Sequence, residues 1–304
     1  MEQLPRSILE IERYLGKNFP YMAQVVKKRI DDFGDSWLHD FENELGVFFN
    51  DIDSLQTASQ GYGEFALDAL RMQKRFDKSR KYDTPSYNEL LDLVYGNEKY
   101  MFDLYLPGIL LSQYLWPHHY RQLKFFRDSF LSFIEKGKPI NFADVGVGTG
   151  FYSKEMLKAF PHAKGLGIDI SEHSLSHAKN LVSKHGLQER YETKLCDLRD
   201  MPNEIVSQII SVEVLEHLED PDDFLINLYR ILQPGGRGYI TAAINAPNAD
   251  HIYLYKNLFE VEKQILNAGF RIADKAEFHA FIPSANESVP SGGVFVVYKS
   301  KENL

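Results

Sequence analysis

The sequence is almost without cysteine: a single Cys196 stands in 304 residues. No intrachain disulfide can form, so the fold must hold by packing alone, and a reducing compartment is expected. No apolar run approaches the ~20 residues that a membrane helix requires. The opening Met-Glu-Gln-Leu-Pro-Arg lacks the charged-then-apolar pattern of a secretory leader. The expectation is a cytoplasmic protein with no membrane partner, in which the sequon at residues 286–288 carries no meaning. A dense basic run is also lacking. Lys27-Lys28-Arg29 comes nearest and reads as a solvated helix face, and the formal net charge is −9. A nucleic-acid partner is disfavoured, because neutralising many phosphates usually demands a basic surface.

Aromatic residues, by contrast, are plentiful, with 21 Phe and 17 Tyr. In the first part of the chain, apolar residues recur at steps of three and four. Met22, Val25, Val26, Ile30, Phe33, Trp37, Phe41 and Leu45 share one helical face over residues 21–49. Residues 63–76 continue the pattern with Phe65, Ala66, Leu70 and Met72, and residues 86–134 read as interrupted helix. Pro107 and Pro117 each start or kink a segment. No strand is expected before residue 140.

Beyond that point short apolar runs alternate with helical patterns. Strands are predicted at 140–145, 165–169, 191–195, 207–212, 237–242, 271–278 and 292–299. Helices are predicted at 151–160, 172–185, 220–232 and 258–268. Pro234-Gly235-Gly236 reads as the turn that ends the third of these helices. Such alternation predicts an α/β fold: a Rossmann-like, doubly wound, mostly parallel seven-stranded sheet. The last two strands have no helix between them and should form an antiparallel C-terminal edge. Residues 1–120 are then an all-helical N-terminal cap, serving substrate binding or dimerisation, and residues 121–304 the catalytic domain.

Four segments carry chemistry. In Asp144-Val-Gly146-Val-Gly148-Thr-Gly150 a strand meets a helix through a glycine-rich turn that lets backbone approach a ligand. The dinucleotide pattern would need glycine at 151, where Phe151 stands, and a carboxylate at 144 would repel a pyrophosphate. Asp144 would instead attract a cationic sulfonium or amino group. Asp169 ends the second strand at the distance where an acidic side chain accepts ribose hydroxyls, and Ser171 is free to cap the next helix. Asp197 ends the third strand and suits an adenine amino group, with Ile170 and Leu198 placed to sandwich the ring. Cys196 beside it reads as inward-facing filler. The fourth strand ends in Ser211-Val-Glu213-Val-Leu-Glu216-His217-Leu218, at the switch point where such sheets bind ligands.

The order and spacing of these segments resemble those of the class I S-adenosylmethionine (SAM)-dependent methyltransferases, over about residues 140–300. The resemblance implies SAM as cofactor. Gly146, Gly148 and Gly150 would line its methionine part, Asp169 its ribose, Asp197 its adenine, and Glu213 the site's rim. It also implies transfer of a methyl group to a carbon, oxygen or nitrogen of a small molecule, such as a keto or amino acid of biosynthetic metabolism. RNA or protein methylation, and SAM binding without catalysis, remain the alternatives.

Where the acceptor must lose a proton, His217 is the first candidate base, with Glu216 orienting it or taking the proton itself. The other reading is that both only shape the loop. His251, within the polar stretch Asn245–Tyr253, is a second candidate, and His279 lies near the same cleft. His217, Asp250, His251 and His279 offer ligands of the kind that hold a divalent metal, but a metal is not the favoured reading. Of Tyr114, Trp116, His118, His119 and Tyr120, each read singly as core helix or dimer contact, some are expected to close over the cofactor, and a homodimer is considered.

Overall fold

The computed structural model of the protein describes residues 4–82, 94–135, 137–281 and 289–301. The predicted helical stretch at 86–93 and the sequon at 286–288 lie outside them.

Seven strands form one sheet in the order β3-β2-β1-β4-β5-β7-β6. They are β1 (Asn141–Val145), β2 (Lys164–Asp169), β3 (Tyr191–Leu195), β4 (Val206–Ser211), β5 (Leu232–Ile244), β6 (Arg271–His279) and β7 (Ser291–Tyr298). β1 to β5 pair in parallel. β7 inserts antiparallel between β5 and β6, as a connection without a crossover helix requires. The predicted fold class is the observed one.

The helices, in chain order, are α1 (Arg6–Asn18), α2 (Val25–Phe48), α3 (Ile52–Ser79), α4 (Leu106–Leu115), α5 (Pro117–Phe125), α6 (Phe151–Ala159), α7 (Glu172–Lys184), α8 (Pro221–Ile231) and α9 (Leu258–Asn267). Local chemistry sets their starts. Asp51, Ser171, Asp220 and Asn257 each accept a hydrogen bond from a backbone amide in the first turn of the helix they precede. Pro107 and Pro117 sit in the first turns of α4 and α5, where their missing amide hydrogen costs little. α2 is broken at Gly34, whose φ of 66° no helix accommodates.

Two expectations need correcting. The Pro234-Gly235-Gly236 turn lies inside β5, which already pairs at Leu232 with Val206. The register then jumps to Gln208–Arg237, so the turn is looped out of the strand, with Gly235 at a φ of 79°. Leu70, predicted on the buried face of α3, is 54% exposed.

One face of the sheet is covered by α8 and α9, through Leu225, Leu228, Val261 and Ile265. The other face is covered by α6, α7 and the N-terminal helices. Trp37, Phe41, Tyr114 and Phe126 share a single core with Phe151, Met156, Leu181 and Tyr239. The helical region is thus welded onto the sheet, and α5 runs across the predicted 120/121 division. None of the described helices is long and apolar enough to cross a membrane.

Candidate functional site

The carboxyl ends of β1, β2, β4 and β5, together with the helical region, enclose a cavity of about 1260 Å³. Single-ligand pockets usually span roughly 300–1,000 Å³, so this one has room for two molecules side by side. It lies where the strand order reverses between β1 and β4.

The glycine turn after β1 has all three glycines at positive φ: 69°, 51° and 79° for Gly146, Gly148 and Gly150. Their neighbours separate their roles. A Cβ on Gly146 would meet Val214 at 2.5 Å, and one on Gly150 would meet the backbone of Ala178 in α7 at 2.7 Å. One on Gly148 would find nothing closer than 4.0 Å. Gly148 therefore presents bare backbone to open space, as a ligand cradle must. Gly150, expected to line the ligand, does not border the cavity; it lets α6 and α7 pack closely.

Asp144 is buried at the base of this turn and accepts a hydrogen bond from Ser153 Oγ at 2.7 Å. Burial outweighs that bond and pushes its carboxyl up to about 7. Asp169, at the end of β2, already accepts the amides of Gly148 (3.1 Å) and Ser171 (2.9 Å). It ties the glycine turn to β2 while still bordering the cavity. Burial raises its pKa in spite of these bonds. Ser171 caps α7 as expected.

Asp197 borders the cavity, but its carboxylate is held in a bidentate pair by Arg199, at 3.0 and 2.7 Å. That pairing, chiefly its hydrogen bonds, lowers its pKa. Leu198 is buried and Ile170 is 46% exposed; both line the cavity and leave a slot between them and the turn. Cys196 is half-buried on the cavity wall.

After β4, Glu213 adopts a φ of 54°, and Asn245 after β5 a φ of 50°. Both are uncommon for non-glycine residues, and such strain collects at functional sites. Thr241 fixes Glu213, accepting its amide hydrogen (2.9 Å) and donating to its carboxylate (2.8 Å).

His217 lines the cavity, and its Nδ1 lies 3.0 Å from the Asp250 carbonyl and 3.3 Å from the Asp250 carboxylate. Facing a carbonyl, Nδ1 must carry the hydrogen, which leaves Nε2 as the acceptor. His251 follows the same logic through Nδ1 and the Ala246 carbonyl at 2.6 Å. Burial depresses its pKa to about 3, so it is neutral. The two imidazoles meet edge to face at 4.8 Å.

Asp250 is fully buried and receives the hydroxyls of Tyr95 (3.0 Å) and Tyr105 (2.5 Å). Burial opposes its ionisation, but His217 and the hydroxyls of Tyr105 and Tyr95 outweigh that and hold its pKa low.

Glu216 behaves differently from its prediction. It does not border the cavity and is wholly buried, and neither carboxylate oxygen finds a partner among the described residues. Burial and the neighbouring Glu213 raise its pKa well above the usual carboxylate range. Glu216, His217 and His251 still bring one ligand atom each within 4.8 Å of one another, the donor set for a divalent cation.

Of the expected aromatic cap, Trp116, His118 and His119 line the cavity. Tyr114 and Tyr120 do not: their hydroxyls turn to Glu44 and Asp40 in the core. His279 does border the cavity. Sequence reasoning missed Tyr95, Tyr105 and Arg29. Arg29 belongs to the presumed solvated run, yet it is 8% exposed and faces the cavity while Lys27 remains in solvent.

Residues 143–240 match the family described as a methyltransferase domain. A malonyl-[acyl-carrier protein] O-methyltransferase from Hahella chejuensis is 28% identical over 116 residues, which are 36% of this chain and 39% of the relative. A ubiquinone biosynthesis O-methyltransferase from Coxiella burnetii is 26% identical over 182 residues, 54% of this chain and 76% of the relative. Among solved structures, the phosphoethanolamine N-methyltransferase 2 of Haemonchus contortus superposes with a TM-score of 0.53 at 16% identity, covering 71% of this chain and 60% of that one. The chain spans 24% to 44% of the first four curated relatives it matches. The match to a methyltransferase domain thus lies in the sheet half, over residues 143–240, and the comparisons say little of residues 1–120.

Proposed function

We propose that the chain is a SAM-dependent methyltransferase that acts on a small molecule held between the sheet and the N-terminal helices. The observation that carries this reading is the pairing, across one cavity, of a cofactor cradle and a backed base. The cradle is the bare Gly148 backbone flanked by Asp144 and Asp169. The base is His217 with its free Nε2, oriented by Asp250.

The donors fit the cofactor. Asp144 would face its cationic part, Asp169 its ribose hydroxyls, and Ile170 with Leu198 the flat adenine. SAM supplies a methyl group already bonded to a good leaving group, so the protein need not activate the electrophile. It must align the acceptor, exclude water and remove a proton where the acceptor carries one. His217 Nε2 takes that proton, and the buried Asp250 carboxylate stabilises the imidazolium that results. Tyr95 and Tyr105 keep Asp250 from swinging away. Trp116 and Phe65, stacked at 5.4 Å, help keep the acceptor end dry.

The reading is tested in two arms. Calorimetric titration should show SAM uptake by the protein and a loss of roughly 10- to 100-fold in affinity for Asp169→Ala, because charge-assisted hydrogen bonds are worth about 1.5–3 kcal/mol. His217→Ala should keep its SAM affinity while transfer of labelled methyl into the small-molecule fraction of a cell extract slows by about 10²–10⁴. Label that accumulates in RNA or protein instead would overturn the small-molecule reading. Absence of SAM uptake would overturn the whole.

A further inference from the structure

The cavity is electrically lopsided. Around the glycine turn its wall is acidic, with Asp144, Asp169, Asp197 and Glu213. At the far end, under the N-terminal helices, the sign reverses. Lys28 and Arg29 of α2 and Arg121 of α5 border the cavity there, against Asp32; the remaining lining carboxylate, Glu277 of β6, is held by a hydrogen bond from Ser291 Oγ at 2.6 Å. The reversal is notable in a chain whose formal net charge is −9.

Arg29 is the centre of this end. Its side chain is 10% exposed, and it pairs with Asp32 through Nη2 alone, at 2.9 Å. Nε and Nη1 are shut from solvent and have no hydrogen-bond partner among the described residues. Leaving a buried charged donor unpaired costs several kcal/mol, and a guanidinium could have been left in water like Lys27. Burial, the largest effect, and the like charge of Arg121 both lower the pKa of Arg29, yet a guanidinium stays charged.

Arg121 lies over the ring of Phe33, its guanidinium carbon 5.5 Å from the centroid, which holds the head in place. His118, whose Nδ1 also lacks a partner, feels both arginines and stands beside them in the wall. Gln113 Oε1 is unpartnered as well. An arginine fork with two idle donors, a second arginine and an idle imidazole nitrogen form a site short of an anion.

We propose that Arg29, with Arg121 and His118, binds an oxyacid group, a carboxylate or a phosphate monoester, on the methyl acceptor. This rests on the methyltransferase reading above and deepens it. The cavity has the cofactor cradle at its acidic end and the anion seat at its basic end, so an acceptor anchored at Arg29 extends toward His217. The aromatic wall between them, Tyr62, Phe65 and Trp116, suits an apolar or ring-shaped body for that acceptor.

The test uses the full chain and three probes: phenyl phosphate, benzoate and the neutral benzamide. Each is titrated by calorimetry into the wild type, Arg29→Met and Arg29→Lys, and SAM is titrated separately into each protein. The wild type should bind at least one anion saturably and benzamide at least tenfold more weakly. Tighter phenyl phosphate assigns a phosphorylated acceptor, and tighter benzoate a carboxylate one. Arg29→Met should lose at least tenfold in anion affinity with SAM affinity changed less than twofold, and Arg29→Lys should recover part of the loss. Arg29→Met should also melt at or above the wild-type temperature in the ligand-free state, since it removes an uncompensated buried charge. An arginine needed only for packing would melt lower and leave anion affinity intact. If Arg29→Met fails to fold, Arg121→Gln takes its place and should lose at least threefold. Wild type that binds neither anion, or variants that bind them unchanged, would overturn the proposal. Anion binding without SAM uptake would sink the methyltransferase reading and leave the anion seat standing.

Discussion

Two groups of charges in this fold are built on opposite rules. In the first, Lys154 is wholly buried between Glu44 of α2 at 2.6 Å and Glu155 at 2.7 Å. Arg127 joins Glu155 at 2.8 Å to Asp40; Tyr114 and Tyr120 donate to the Glu44 and Asp40 oxygens that Lys154 and Arg127 hold, and His185 meets the other oxygen of Glu44. Burial opposes ionisation of Glu44 and Glu155, but Lys154 foremost, with His185 or Arg127, outweighs it and holds both near 2. In the second, Arg29 Nε and Nη1, His118 Nδ1, both oxygens of Glu216 and Asp250 Oδ1 are buried without partners among the described residues. The first group finds its partners within the described residues and clasps the N-terminal helices to the sheet through α6. The second is incomplete, and of its members Arg29 and His118 border the cavity, while Glu216 and Asp250 lie behind His217 and His251. Unmet buried groups call for an explanation, and at Arg29 and His118 the cavity offers one.

The largest effect should come from breaking the complete cluster. Lys154→Met leaves Glu44 and Glu155 facing each other without their shared cation. Removing one partner of a buried pair typically costs about 3–5 kcal/mol, read as a lower urea midpoint at unchanged slope. Removing the charges together, as Glu44→Gln, Lys154→Met and Glu155→Gln, should restore most of that stability, because the desolvation cost leaves with them. A single Lys154→Met that costs less than about 1 kcal/mol would mean that the cluster is not the clasp described.

This contrast also separates what could be read in the sequence from what could not. The strands of the sheet were legible because their apolar runs are bounded by glycines and polar turns, and the predicted bounds of β1, β2 and β4 lie close to the observed ones. The start of β5 was not, since Pro234-Gly235-Gly236 reads locally as a stop and only pairing of Leu232 with Val206 reveals the bulge. That Asp144, Asp169 and His217 border one cavity was legible because strand ends in an alternating fold converge on one edge. Which glycine faces open space was not, because Val214 and Ala178 decide it from afar. Tyr95 and Tyr105 reach Asp250 across 155 and 145 residues, and no local pattern announces such a contact. Arg29 was misread for the same reason: a basic triplet on an amphipathic helix looks solvated until the cavity it faces is known.

A smaller effect should mark the acidic end of the cavity. Burial holds the Asp144 carboxyl at about 7, so at pH 6 it is mostly protonated in the ligand-free protein. A cationic ligand favours the ionised form and lowers that pKa, so SAM binding should release a proton. Affinity should therefore rise with pH through 7, by about tenfold between pH 6 and pH 8. Calorimetry in buffers of different ionisation enthalpy counts the proton directly, and Asp144→Asn should abolish both the release and the slope. Affinity that falls with rising pH would place the cation elsewhere and remove Asp144 from the cofactor cradle.

The smallest effect is expected at Glu216, and it is the sharpest test of the contrast. Its raised pKa favours a neutral acid in the folded protein, for which glutamine is nearly isosteric. Glu216→Gln should shift stability at pH 7 by less than about 0.5 kcal/mol in either direction. Glu155→Gln, the same substitution in the complete cluster, should cost about 2–3 kcal/mol because it strips charge-assisted bonds from Lys154 and Arg127. Both are measured by urea denaturation, with bound divalent metal per chain counted in parallel. Equal losses at the two sites would show that Glu216 is ionised and paired in solution, and a metal count that falls with Glu216→Gln would name the pairing ion. Unequal losses, with no metal to lose, leave Glu216 as the neutral floor on which His217 and His251 stand.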